Sequence, residues 1–182
     1  IAQVHRAQLH DGRAVIVKVR RPGIRAQIDR DMRTLIRVFR VAVFAAPGLV
    51  RYQPEKVARE IWMNLRRETD LHQEARSIRR FADAFKERSD VYIPAAISNL
   101  CAEAVLVQEL SHGRSINEAA VAPDGPRLAG VLVDFYLQQF FIVGLFHGDP
   151  HPGNLFVMED GRICFHDFGL VGFLDRRTRR NL

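Results

Sequence analysis

The segment His147-Gly148-Asp149-Pro150-His151-Pro152-Gly153-Asn154 sets the first limit on how this 182-residue chain can fold. Two prolines and two glycines exclude a helix there and make the segment a rigid loop. Residues 155–158 and 162–166 then read as two strands about the turn residues Asp160-Gly161. With Asp160 and Gly161 as the two loop residues, Glu159 faces Arg162, Leu155 faces His166 and Asn154 faces Asp167. An amide and a carboxylate then stand about 5 Å apart across the strand pair. Oxygen ligands so placed suit a hard cation such as Mg²⁺, with phosphate oxygens and water completing its octahedron.

A second hairpin opens the chain. Residues 1–8 and 14–19 flank Asp11-Gly12, a tight-turn signal between β-branched runs. By the two-residue period Val15, Val17 and Val19 share one face, and Ala14, Ile16 and Lys18 the other. A lysine ending an apolar strand face requires an anionic partner. After Pro22-Gly23 an amphipathic helix is expected, with Ile24, Ile28, Leu35 and Phe39 on one side, ending near Ala46-Pro47-Gly48. A longer helix is predicted from about Pro54, well placed in a first turn, to about Lys86. In its second half Leu71, Ala75, Ile78, Ala82 and Phe85 form a stripe that encloses Glu74. A carboxylate inside such a stripe is costly unless a cation meets it, and Lys18 supplies that cation. The alternative is that Glu74 sits at the stripe's edge and reaches solvent. Short strands over 91–93 and 104–109, a turn at Ser111-His112-Gly113 and a mostly apolar helix over 127–146 lead up to the loop.

With 47% hydrophobic residues the chain has the composition of a packed protein, one domain or two small lobes sharing a cleft. Its net charge of +6 comes mostly from arginines in the stretches 20–40 and 59–80 and at the C-terminus. That surface attracts phosphates, anionic lipid headgroups or nucleic acid alike, and its plain reading is a solvated helix face. Cys101 and Cys164 are too few and too far apart for a disulfide scaffold or a metal knuckle and read as reduced apolar fillers. His147 and His151 lack a nearby third ligand, so a loop-rigidifying or phosphate-contacting role is preferred to zinc. Trp62 and the phenylalanines read as core. The apolar run 41–47 is far shorter than the ~20 residues of a membrane span, and no signal peptide opens the chain. It begins at Ile1, and Arg179–Leu182 read as the start of a further helix, so a longer parent is expected.

Asp167-Phe168-Gly169 matches the kinase metal-binding tripeptide, and Asp149 precedes Asn154 with the spacing of a kinase catalytic loop. Each match is weak alone; together, in order, behind a strand lysine and a helix glutamate, they are specific. The chain resembles the UbiB/AarF family of atypical protein-kinase-like proteins over nearly its whole length. The resemblance rests on Ile1-Ala2-Gln3-Val4-His5, Val17-Lys18-Val19-Arg20-Arg21-Pro22-Gly23, Glu68-Thr69-Asp70, Gln73-Glu74-Ala75 and the two segments just named.

It implies an α+β, two-lobed kinase-like fold truncated at both ends. Residues 1–110 would form an N-lobe with an antiparallel sheet and inserted helices, and residues 111–182 part of a helical C-lobe. Lys18 and Glu74 would position the nucleotide, with Asp149 as the catalytic-loop aspartate and Asn154 and Asp167 as metal ligands. Gln108, Glu109 and Leu110, which close the first lobe, are assigned to the nucleotide with Lys18. Glu68 and Asp70 would meet an N-terminal Lys-x-Gly-Gln extension. The cofactors implied are ATP and Mg²⁺. The implied activity is that of an ATPase or kinase-like enzyme of ubiquinone or other prenyl-lipid biosynthesis. It would meet an anionic membrane surface or quinone-biosynthesis proteins and no nucleic acid. The location implied is cytoplasmic, peripheral to or anchored at the inner membrane through parts outside these residues. A small-molecule phosphotransferase of the aminoglycoside or choline kinase type, and an ATP-binding scaffold without turnover, are the alternatives.

Overall fold

In the computed structural model, which describes residues 1–181, the opening hairpin pairs β1 (Ala2–Gln8) with β2 (Ala14–Arg20). Its loop holds three residues, His10-Asp11-Gly12: Leu9 N donates to Arg13 O at 2.9 Å, and Gly12 takes φ +89°. Val15 is buried, while Ile16 and Lys18 face a cleft, as the alternation requires. After Gly23 comes α1 (Ile24–Ala45), which packs Ile28, Met32 and Ile36 against Ala58 in a small core of its own.

The single helix expected over 54–86 is two helices, α2 (Pro54–Glu68) and α3 (Leu71–Ala84). The break is local chemistry. Asp70 takes an extended backbone (φ −103°, ψ 90°), and its carboxylate accepts from His72 N at 3.1 Å, capping α3. Thr69 is fully buried and held by Arg20, which donates to its carbonyl at 2.9 Å, and by Arg25, which donates to its hydroxyl at 2.7 Å. The stripe of α3 is Leu71, Glu74, Ala75, Ile78 and Phe81, so Phe81 takes the core place expected of Ala82. Asp70→Ala removes the cap and should lower stability by about 1 kcal/mol. A melting temperature unchanged from wild type would show the cap to be idle.

Next, β3 (Val91–Tyr92) precedes β4 (Val105–Glu109), and β4 pairs with β2 to give an antiparallel sheet in the order β1-β2-β4. The short β5 (Arg114–Ser115) and α4 (Ile116–Ala120) lead into α5 (Gly125–Leu137). The apolar helix expected to reach residue 146 stops being α-helical at Leu137. A π-helical turn, Gln138–Val143, follows and ends at Gly144, whose φ of +75° only glycine adopts easily. Then come β6 (Leu145–His147), β7 (Leu155–Val157), β8 (Ile163–Phe165), β9 (Val171–Phe173) and α6 (Arg176–Arg180). Of the helix expected at Arg179–Leu182, only the end of α6 is seen, with Asn181 as its cap; Leu182 lies outside the described residues.

β7 and β8 form the second predicted hairpin, with a register one residue from the expected one. Leu155 pairs with Phe165, and Met158 N donates to Arg162 O at 2.9 Å. The loop is therefore Glu159-Asp160-Gly161, with Gly161 at φ +82°, a three-residue turn closed by a left-handed glycine. Asn154 consequently lies opposite His166, whose N–H donates to Asn154 O at 2.9 Å, and not opposite Asp167. β3 joins β8 in parallel, giving the order β3-β8-β7-β5. The main core gathers Phe81, Phe85, Phe135, Phe165 and Phe168 between α3, α5 and this sheet. Among the described residues no helix is long and apolar enough to cross a membrane.

Candidate active site

Lys18 leaves the sheet face on β2 and Glu74 leaves the buried stripe of α3, and they meet in the cleft. Lys18 Nζ donates to both carboxylate oxygens of Glu74, at 3.0 and 2.9 Å, and to Asp167 Oδ1 at 3.4 Å. Glu74 is 5% exposed, so it does not reach solvent. Burial works against the Lys18 ammonium, but the carboxylates of Glu74 and Asp167 prevail and its pKa is raised. Burial also pushes the Glu74 carboxyl up, opposed by Lys18. The lysine thus stays charged beside an anion that cannot leave.

The cleft they line measures about 420 Å³ and is also bounded by Ile16, Gln108, Leu110, Ser111, Asn154, His166 and Asp167. Gln108 and Leu110, assigned to the nucleotide in the sequence analysis, thus line this cleft. Glu109 between them turns to the other side, where its carboxylate accepts from Tyr92 Oη at 2.8 Å and Ala95 N at 3.0 Å.

The loop before β7 is braced from inside. His147 is buried; its Nε2 donates to His166 O at 3.0 Å, and its Nδ1 accepts from Asp149 N at 3.3 Å. Its own N–H donates to Gln139 Oε1 at 2.7 Å, so the π-helical turn holds the start of the loop. Gly148 N donates to Leu170 O at 2.9 Å, and a Cβ on Gly148 would stand 2.9 Å from Leu170 Cγ and 3.1 Å from that oxygen, so a side chain there would require Leu170 to shift. Phe168 is buried against Phe81 and His147, with ring centroids 5.0 and 5.1 Å apart. Asp149 at the exposed rim accepts from Asn154 Nδ2 at 3.0 Å. That bond commits the amide nitrogen of Asn154 and leaves its Oδ1 for a cation. Asp167 offers its Oδ2, since Oδ1 is bonded to Lys18 and Gly169 N. No group of three acidic, histidine or cysteine ligands gathers among the described residues. One carboxylate and one amide oxygen fit Mg²⁺, which is held by few protein oxygens together with phosphate and water, better than they fit a closed zinc site.

Glu68 and Asp70 line a neighbouring cavity with Gln73, Ser77, Gly169 and Leu170; partial desolvation and the carboxylate of Asp167 push the Glu68 carboxyl up. Two cleft residues, Ser111 and His166, went unforeseen. Ser111 Oγ lies 2.7 Å from His166 Nε2, and Gln108 Nε2 lies 3.4 Å from His166 Nδ1, so the residue before Asp167 is tied to the end of β4. No spacing rule links segments so far apart. Gln139, fully buried, was readable as one of two adjacent amides, Gln138-Gln139, in an apolar helical run.

Burial holds the pKa of His147 below its ordinary value. Between that value and about 6.5 the unfolded chain binds a proton that the folded chain does not, so stability falls as pH drops through this window. For one ring the slope is at most about 1.4 kcal/mol per pH unit. Thermal denaturation between about pH 7.5 and 5.5 should show it, and His147→Gln should flatten the decline; an equally steep decline in that variant would sink the assignment.

The profile of the ABC1 atypical kinase-like domain matches residues 1–182. A "Probable protein kinase UbiB" of Vibrio cholerae is 36% identical over 100% of this chain and 35% of its own length. The Arabidopsis thaliana "Protein ACTIVITY OF BC1 COMPLEX KINASE 1, chloroplastic" is 39% identical over 100% of this chain and 27% of its own. The chain thus spans roughly a third or less of these relatives. A solved Mycobacterium tuberculosis protein, Rv3197 in complex with erythromycin, superposes with a TM-score of 0.73 at 30% identity, covering 95% of this chain and 44% of that one. A profile match over residues 1–182, with relatives 36% and 39% identical across the whole chain, makes it a member of the ABC1 atypical kinase-like domain family, to which the UbiB proteins belong.

Proposed function

We propose that this chain binds MgATP in the cleft and serves as the phosphoryl-transfer or ATPase core of a larger protein. That protein acts in ubiquinone or other prenyl-lipid metabolism at the cytoplasmic side of a membrane. The observation that carries the reading is the Lys18–Glu74 pair, whose ammonium lies 3.4 Å from Asp167 and lines the same cleft as Asn154.

Each residue then has one task. Glu74 aims the Lys18 ammonium, which offers a fixed positive charge to phosphate oxygens. Asn154 Oδ1 and the Asp167 carboxylate would hold Mg²⁺, which would offset charge on the transferring phosphoryl group. Asp149, kept in place by Asn154 Nδ2 and by the bond from its own N–H to His147, orients the attacking hydroxyl or water and takes its proton. Gln108 and Leu110 line the end of the cleft where β4 closes. The link to quinone or prenyl-lipid metabolism is supported by the UbiB resemblance.

The test is ATP hydrolysis by the intact protein with Mg²⁺ or with a chelator, with and without anionic liposomes, alongside calorimetric MgATP binding. Mg²⁺-dependent, lipid-stimulated turnover is expected. Tight binding without turnover would favour a nucleotide-sensing scaffold, and absence of binding would end the reading.

A further inference from the structure

The hairpin of α1 and α2 carries a surface that the cleft does not use. Its last buried residue on α1 is Ile36 and its first on α2 is Ala58; no residue from 37 to 57 is buried. From Phe39, which still packs against that core, to Ala45, α1 runs on for about 9 Å. At this tip Phe44 is 89% exposed, Val41 68%, Tyr52 60% and Val50 58%. Large apolar side chains gathered at one projecting end differ from the single exposed residues scattered over ordinary surfaces.

The charge around them is one-sided. From Arg33 to Arg59 stand Arg33, Arg37, Arg40, Arg51, Lys56 and Arg59 against one carboxylate, Glu55, which already accepts from Arg40 Nε at 3.0 Å. The Arg51 guanidinium lies 4.7 Å from the Tyr52 ring centre, which joins a cation to an aromatic at the tip itself. An occupant must therefore be apolar where the tip ends and anionic around it. Nucleic acid supplies phosphates but no layer for valine side chains. A bilayer interface supplies both in that order, an anionic headgroup region above hydrocarbon.

We infer that the α1–α2 tip docks on an anionic lipid surface, with Val41, Phe44, Val50 and Tyr52 entering the interface and the arginines meeting headgroup phosphates. This gives the membrane contact proposed above a place within these residues. It needs neither nucleotide nor metal, so its failure would leave the MgATP reading standing.

The experiment uses the intact protein and vesicles of phosphatidylcholine alone or with about a third phosphatidylglycerol. A solvent-sensitive dye is attached through Phe44→Cys in a background with Cys101 and any accessible cysteine outside these residues replaced by alanine, Cys164 being buried. A blue shift with the anionic vesicles and little with neutral ones is expected. Val41→Ser with Phe44→Ser should cut vesicle partition at least about tenfold, and Arg37→Gln or Arg51→Gln about fivefold each, all with the melting temperature of wild type. The inference is overturned by a dye that stays in water while the protein sediments with vesicles. It is overturned equally if the serine variants bind as wild type, or if they melt earlier, which would mean that protein covers the tip.

Discussion

Lys18→Met is expected to cost about 3–5 kcal/mol of stability near neutral pH, because it leaves the Glu74 carboxylate buried without its cation. Asp167 then adds repulsion where it now shares the lysine. The variant should also lose roughly 10- to 100-fold in MgATP affinity, the worth of a charge-assisted hydrogen bond to phosphate. The stability loss carries a pH signature. Without Lys18, the folded-state pKa of Glu74 rises further above the unfolded value, so the folded chain holds a proton that the unfolded chain has released. Stability relative to wild type therefore worsens as pH rises and recovers as pH falls from about 7 towards 5. Adding Glu74→Gln should restore part of the loss, since a neutral amide replaces the stranded charge. Chemical denaturation of the two variants at both pH values decides it: an equal deficit at each pH would show that no buried charge had been stranded.

Asp149→Asn is the counterpart at the reacting end, with a fall of about 10²–10⁴ in the rate of ATP turnover. The amide has the shape of the carboxylate and still accepts from Asn154 Nδ2 through its oxygen, so the loop keeps its geometry and MgATP affinity changes little. What goes, on the proposed function, is the proton acceptor. Asp167→Asn contrasts with it: a carboxylate is lost both from the metal site and from Lys18, so binding itself weakens and the Mg²⁺ concentration needed rises. Single-turnover rates beside calorimetric titration separate the two patterns, and undiminished turnover in Asp149→Asn would remove it from the chemistry.

The lysine–glutamate pair was legible before any coordinates because burial logic alone demands it: a lysine on an apolar strand and a carboxylate in an apolar stripe each require the other. Both hairpins were legible through Asp-Gly. The size of their loops was not, because a left-handed glycine serves two-residue and three-residue turns alike. That ambiguity moved β7 against β8 by one residue and displaced the expected Asn154–Asp167 pairing. The break between α2 and α3 escaped notice because neither proline nor glycine marks it. Asp70-Leu71-His72-Gln73 nevertheless has the spacing of a helix-capping pattern and was the available signal. The π-helical turn, and the meeting of Ser111 with His166, depend on tertiary packing between distant segments and leave no local trace.

The shifted register leaves Asp167 just past the last rung of its ladder, with φ at +56°. An L-residue there bears a local conformational cost of roughly 1 kcal/mol that glycine would not. Asp167→Gly would shed that cost, and with it the carboxylate oxygen that Lys18 and Gly169 N share. Position 167 is thus a place where the ease of the backbone and the metal-binding role proposed for the side chain pull in opposite directions.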